Sequence, residues 1–224
     1  MFIRYLEKPP RFDHLDRWLK MPGVKILDVG CGGKAPFVTK KIYSECKYYG
    51  LDKSALVLEG DVPNGGIEEF YKIDLTDIGQ LDMIPNDFFD CLILSHVIEH
   101  LTNAEDVIVR LLDKLKNRGV IYIESPSAHS VHLPSMRGTL NFYDDPSHVK
   151  LYRLEDLASL LINNGCTVVK SGIRHSLKRI LLLPLYLMGS LIRLGHIEAG
   201  VFWDITGFAS YVVALKVSGV GEDL

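Results

Sequence analysis

The chain has 224 residues, a length that suits one decorated domain better than two. Apolar side chains make up 47% and charged ones 24%, which excludes a disordered tail, a disulfide-stapled mini-protein and a fibrous repeat. The 25 basic and 28 acidic residues leave a net charge of −3, so no nucleic-acid surface is expected, and the spacing of Cys31, Cys46, Cys91 and Cys166 matches neither a zinc knuckle nor a redox pair.

Reduced thiols point to a cytoplasmic protein. Charge in Met1-Phe-Ile-Arg-Tyr arrives too early for a signal peptide. The longest uncharged stretch, Ile180 to Ile192, is 13 residues long and contains Pro184. A bilayer span needs about 18, so no transmembrane helix is predicted.

Pro9-Pro10 opens the domain, and Arg11 to Lys20 reads as a short amphipathic helix with Phe12, Leu15 and Leu19 on one side. Val24 to Gly30 is a strand ending at glycines, followed by a helix over Ala35 to Ser44. Tyr48 to Asp52 and Phe70 to Asp74 are the next strands. Phe89 to Ser95 is almost continuously apolar, as a parallel strand buried on both faces requires. Asn103 is expected to cap a helix with Val107, Ile108, Leu111, Leu112 and Leu115 inward, ending on Lys114, Lys116 and Arg118 before Gly119. A fifth strand runs from Gly119 to Ser125. The polar stretch 126–150 has no period and reads as a functional loop. Leu154 to Asn163 is a helix, Cys166 to Ile173 a sixth strand, and Thr206 to Val217 holds a seventh. Alternating strands and helices predict a doubly wound, mostly parallel sheet between two helical layers, in a single domain over 1–224. An apolar, basic-ended insertion at 176–205 replaces the last crossover, so the sheet is expected to end differently from how it began.

Asp28-Val-Gly30-Cys31-Gly32-Gly33-Lys34-Ala35 lies between a strand and a helix, where glycines permit a tight turn and close ligand approach. Gly30-x-Gly32-x-x-Ala35, with Asp52 at the next strand end, also fits a dinucleotide fingerprint and a nicotinamide oxidoreductase. Asp28 separates the two readings. A carboxylate there would repel a pyrophosphate and suits a cationic amino group, such as that of S-adenosylmethionine. Asp52, followed by Lys53, would then accept hydrogen bonds from the ribose hydroxyls.

In these segments the sequence resembles the class I S-adenosylmethionine-dependent methyltransferases. Val24-Lys-Ile-Leu-Asp-Val-Gly-Cys-Gly32, Tyr49-Gly-Leu-Asp52, Tyr71-Lys-Ile-Asp74-Leu75, Phe89 to Leu101 and Leu115 to Ile123 carry the resemblance. It implies a seven-stranded Rossmann-like sheet with an antiparallel last strand and S-adenosylmethionine as cofactor, released as S-adenosylhomocysteine. It also implies that Asp74 meets the adenine amino group, that Leu75 lies beside the ring, and that Ser95 offers backbone to the methionine end. Lys34 stands where related chains often have a third glycine. A protein that binds the cofactor without catalysis remains the alternative.

His96-Val-Ile-Glu99-His100 matches the H-x-x-E-H pattern of inverted zinc proteases. It follows a buried strand, where the methyltransferase family tends to carry a Glu-His pair, so no metal site is expected. His148, in Asn141-Phe-Tyr-Asp-Asp-Pro-Ser-His148, is the expected general base; the bland alternative has it tie the loop to Asp144 or Asp145. His129 and His132 are expected near the pocket, and His14, His175 and His196 on the surface. Residues 176–193 read either as a helix pair packed on the domain or at a dimer contact, or as an interfacial element with Lys178, Arg179 and Arg193 near lipid head groups. The Asn141 to Tyr152 region resembles methyltransferases of surface-polysaccharide pathways. The expected acceptor is therefore a small molecule or a carbohydrate- or lipid-linked intermediate.

Overall fold

The computed structural model describes residues 8–58, 62 and 66–217. Its helices are α1 (Pro10–Leu19), α2 (Ala35–Ile42), α3 (Ala104–Lys114), α4 (Leu154–Asn163), α5 (Leu177–Leu181), α6 (Leu183–Leu194) and α7 (Trp203–Thr206). Its strands are β1 (Lys25–Val29), β2 (Lys47–Asp52), β3 (Glu69–Lys72), β4 (Phe89–Ser95), β5 (Leu115–Pro126), β6 (Cys166–Ile173) and β7 (Ala209–Lys216). All seven strands form one sheet in the order β3-β2-β1-β4-β5-β7-β6, and β7 alone runs against its neighbours. The doubly wound architecture and the reversed last strand are those expected from the sequence.

Side-chain alternation along the strands assigns each residue to one of two cores. Leu27 and Val29 of β1 and Leu92 and Leu94 of β4 face α3 and α4, joining Val107, Ile108, Leu111, Leu157 and Leu161. Ile26, Cys91 and Ile93 face the other way and pack with Phe12, Leu15 and Leu19 of α1. Asp28, one step from Leu27 and Val29, therefore points toward the α1 side.

Two local expectations are corrected. Asn103 makes no side-chain cap; its Nδ2 donates to the Leu75 carbonyl at 3.0 Å, stitching the start of α3 to the loop after β3. Helix α3 ends at Lys114 and the chain pairs with β4 at once, Phe89 opposite Leu115. Lys116 and Arg118 therefore belong to the strand entry, where Arg118 takes a left-handed φ of 61°. Gly119 is needed for close approach: a Cβ there would lie 2.6 Å from Leu115 Cδ1.

Strand order reverses between β1 and β4, so a crevice opens at their carboxyl ends. Gly30, Asp52, Asp74 and His96 all follow strand ends at that rim. At the far edge, α5 and α6 carry exposed Leu177, Leu181, Leu185, Met188 and Ile192. No helix among the described residues is long and apolar enough to cross a membrane.

Candidate active site

Gly30 has a φ of +67°, and a Cβ on it would lie 2.5 Å from Val97 Cγ2, so both backbone and packing demand glycine. Gly32 is also left-handed, with a φ of +54°. The turn is pinned to β2: Gly30 N and Cys31 N both donate to the Leu51 carbonyl, at 2.7 and 3.2 Å. Asp52 completes the clasp by accepting from Gly32 N at 3.0 Å and from Ser54 N at 2.9 Å. The sequence separation of 20 between turn and acid is thus a contact within the sheet rim.

This rim bounds a cavity of about 410 Å³, with Gly30, Asp52, Lys53, Asp74 and Leu75 in its wall. That volume lies within the roughly 300–1,000 Å³ of small-molecule sites. Asp74 is fixed by Thr76, whose backbone N–H and hydroxyl donate to Oδ1 at 3.0 and 2.8 Å and hold its carboxyl below the usual range. His96, Val97, His100 and Leu101 close the opposite side.

The remaining expected residues lie elsewhere. Asp28 is buried at 3% exposure beneath the turn, where it accepts from Tyr48 Oη at 2.8 Å. Its carboxylate does not face the cavity, because strand alternation aims it at α1; burial, opposed by Arg11 and Tyr48, raises its pKa. The side-chain partner it has here is Tyr48. Cys31 and Gly32 also stay out of the wall: the Cys31 side chain is buried, and the Gly32 amide is spent on Asp52. Ser95 borders a second cavity, with its Oγ 3.3 Å from Glu124 Oε1.

That second cavity, about 400 Å³, is lined by Arg11, Ser95, Glu124, Arg174, Arg179 and Trp203. Arg174 donates to Glu124 at 2.6 Å and to Asp204 at 2.8 Å, and Arg179 donates to Asp204 at 2.9 Å. Tyr122 donates to the other oxygen of Glu124. Burial pushes the Glu124 carboxyl up, but Arg174, His96 and Tyr122 outweigh it and hold the group far below the usual range. Sequence reading missed this network. Its one local signal is Glu124 standing in the otherwise apolar Val120 to Ser125 strand.

His96 belongs to both walls. It has a left-handed φ of 58°, with Nδ1 3.0 Å from Glu99 Oε1 and Nε2 3.1 Å from Glu124 Oε1 in a geometry too bent for a full hydrogen bond. Burial lowers its pKa, but the two carboxylates more than offset this and raise it to about 9. The two carboxylates thus favour the protonated ring. The H-x-x-E-H pattern does not form a helix here: Ile98–His100 is a single 3-10 turn, and His96 precedes it.

In the 126–150 loop, Asp144 accepts backbone N–H groups of Met136, Leu140 and Asn141, which shapes the chain around it. His148 is seated by this loop with its side chain only 5% exposed, outside both cavity walls. Its Nδ1 donates to the Phe142 carbonyl at 2.6 Å and its Nε2 lies 3.9 Å from Asp145 Oδ2. His148 thus ties the loop through the Phe142 carbonyl, and the hydrogen bond to Asp144 or Asp145 that the sequence also allowed is not formed. His129 and His132 are exposed and line neither cavity. His14, expected at the surface, is half-buried and stacks on Tyr211 at 3.9 Å between centroids.

A family model described as a methyltransferase domain matches residues 4–171. The chain belongs to this methyltransferase family. Its cofactor is S-adenosylmethionine, which sets aside the nicotinamide alternative. Among solved structures, it is similar to a SAM-dependent methyltransferase from Archaeoglobus fulgidus, at 22% identity over 92% of this chain and 91% of that one, with a TM-score of 0.60. An S-adenosylmethionine-dependent methyltransferase from Mesorhizobium loti is similar at 18% identity over 92% and 97%, with a TM-score of 0.61. The cyclase SpnF shares the fold at 18% identity over 94% and 81%, with a TM-score of 0.56, so the architecture alone does not fix a reaction. No curated protein matches the chain significantly.

Proposed function

We propose that the methyltransferase holds S-adenosylmethionine along the Gly30–Asp52–Asp74 wall and receives a small-molecule acceptor in the arginine-lined cavity beyond His96. The observation that carries this reading is the shared wall: two cavities of similar size meet at one histidine. In this reading the Asp52 carboxylate accepts from the ribose hydroxyls, Lys53 flanks it, Asp74 accepts from the adenine amino group, and Leu75 lies against the ring. Asp28, through Tyr48, positions the turn and leaves the ligand to its backbone.

The bound sulfonium supplies the electrophilic methyl. The chain's own contribution is alignment and exclusion of water, which can be worth roughly 7–11 kcal/mol. His96 is positioned by Glu99 and Glu124, whose carboxylates favour its protonated form and so a role in orienting the acceptor. Arg11, Arg174 and Arg179 favour an acceptor that carries an anionic group.

The finer reading, a carbohydrate- or lipid-linked acceptor, is favoured by the α5–α6 edge. Leu177, Leu181, Leu185, Met188 and Ile192 recur every three or four residues and are exposed, while Arg179 of the same segment lines the acceptor cavity. Peripheral membrane contact follows. Anionic liposomes should sediment the protein, and Leu181→Glu with Ile192→Glu should abolish that; absence of binding at low salt removes the lipid reading.

Titration calorimetry with S-adenosylhomocysteine tests the cofactor site. Asp52→Ala removes a charged acceptor worth about 3 kcal/mol and should weaken binding roughly a hundredfold. Unchanged affinity would exclude Asp52 from the site.

A further inference from the structure

Behind the cofactor cavity, Glu99, His100 and His148 each bring one donor atom to within 4.8 Å of the other two. Hydrogen bonding settles the chemical state of these atoms. The single hydroxyl proton of Ser147 goes to Asp145 Oδ1, so Ser147 Oγ and its carbonyl can only accept from His100 Nδ1, at 2.9 and 3.2 Å. His148 Nδ1 likewise faces the Phe142 carbonyl, an acceptor, at 2.6 Å. Both rings therefore carry a proton on Nδ1, so in the neutral form of each ring Nε2 is the free acceptor.

Glu99 supplies the third acceptor. It is 1% exposed; Oε1 is held by His96, while Oε2 is buried without any partner. The Asp145 Oδ2 atom lies 3.9 Å from His148 Nε2. The loop is clamped over this point by Val149 N and Lys150 N, which donate to the Glu99 carbonyl at 2.8 and 3.3 Å. Two imidazole lone pairs and an orphaned carboxylate oxygen thus converge with no donor between them, and such a set is completed by a cation.

We propose that Glu99, His100 and His148 form a binding site for a first-row divalent cation, with Asp145 as the nearest fourth oxygen. Two imidazoles and a carboxylate are the ligand set of zinc, manganese or iron more than of magnesium. Backbone carbonyls on both Nδ1 atoms are the usual outer support of metal-binding histidines. Ligands of a tetrahedral ion with bonds of about 2.0–2.2 Å stand roughly 3.4 Å apart, so binding requires the cluster to tighten by about an ångström. This departs from the sequence expectation of no metal, because the relevant histidine pair is His100 with the distant His148, and His96 is consumed by Glu99 and Glu124. Resting on the methyltransferase reading, the ion would brace the His100 side of the cofactor cavity and the loop that carries Ser147.

The test uses the full chain stripped with EDTA and titrated with zinc, manganese and magnesium chlorides, read by calorimetry and elemental analysis. The expected result is one zinc or manganese per chain, with magnesium bound at least tenfold more weakly. His148→Ala and Glu99→Gln should each weaken the preferred ion at least a hundredfold; should Glu99→Gln fail to fold, His100→Ala replaces it. S-adenosylhomocysteine affinity, measured alongside, keeps the two readings separate: its absence with the ion still bound refutes the cofactor assignment and supports this one. No saturable ion, or equal binding in the histidine variants, overturns the metal site and leaves a proton shared between the rings as the occupant.

Discussion

The two cavities that meet at His96 are built in opposite ways. The cofactor side is made of strand-end residues and backbone: Gly30, Asp52 and Asp74 lie at the carboxyl ends of β1, β2 and β3, and the two carboxylates accept mainly backbone N–H groups of the adjoining turns. The acceptor side is made of long side chains gathered from residues 11, 124, 174, 179 and 203, locked by ion pairs spanning 25 to 50 positions. A generic ligand can be held by the first kind of construction on any sheet of this topology. The second kind depends on this chain's own long-range pairs, and under the proposed function it is the side that selects the acceptor.

The contrast predicts that damage on the two sides separates into stability and affinity. The largest effect is expected from Arg174→Met, which leaves Glu124 and Asp204 buried without their shared partner. Urea denaturation should show a loss of about 3–5 kcal/mol. A loss below about 1 kcal/mol would mean that the network is dispensable scaffolding.

Next is the pH dependence of the shared wall. The folded pKa of His96, about 9, lies above its unfolded value near 6.5. Its stabilisation is therefore complete below about pH 6.5 and is lost as pH rises through 9, on the order of 3 kcal/mol in all. His96→Asn, chosen because asparagine tolerates a left-handed φ, should flatten that decline in a denaturation series from pH 6 to 10. An unchanged slope would assign the decline to other groups.

A smaller effect is expected beneath the turn. Tyr48→Phe strips Asp28 of its hydrogen bond and should cost about 1–3 kcal/mol of stability with cofactor affinity changed less than about threefold. A large affinity loss would return Asp28 to the ligand. The smallest effect is expected at the outer edge: Leu181→Glu touches no packed core, so its melting temperature should stay within about 1 °C of the parent.

Most of the parallel sheet was legible because buried strands and glycine turns are written in short, contiguous segments. The Gly30 turn and Asp52 could be paired from their spacing, since adjacent parallel strands bring their carboxyl ends together. The partner of Asp28 was not legible for a physical reason: motif position says which residue ends the strand, whereas strand alternation decides which layer it enters and so brings it to Tyr48. His148 was chosen for its chemistry, and only the fold shows its Nδ1 bound to the Phe142 carbonyl and its ring packed against His100. Arg11, Arg174 and Arg179 carry no local pattern, and the lone Glu124 in its apolar strand names no partner; they become a site only when β5, β6 and the insertion close around Asp204.

The central claim, that the Gly30–Asp52–Asp74 cavity holds the nucleoside and the arginine-lined one receives the acceptor, is tested most directly by a crystal structure with S-adenosylhomocysteine. The ribose hydroxyls should lie within hydrogen-bond distance of Asp52, with the sulfur directed toward His96. Density for the ligand among Arg11, Arg174 and Trp203 would contradict it.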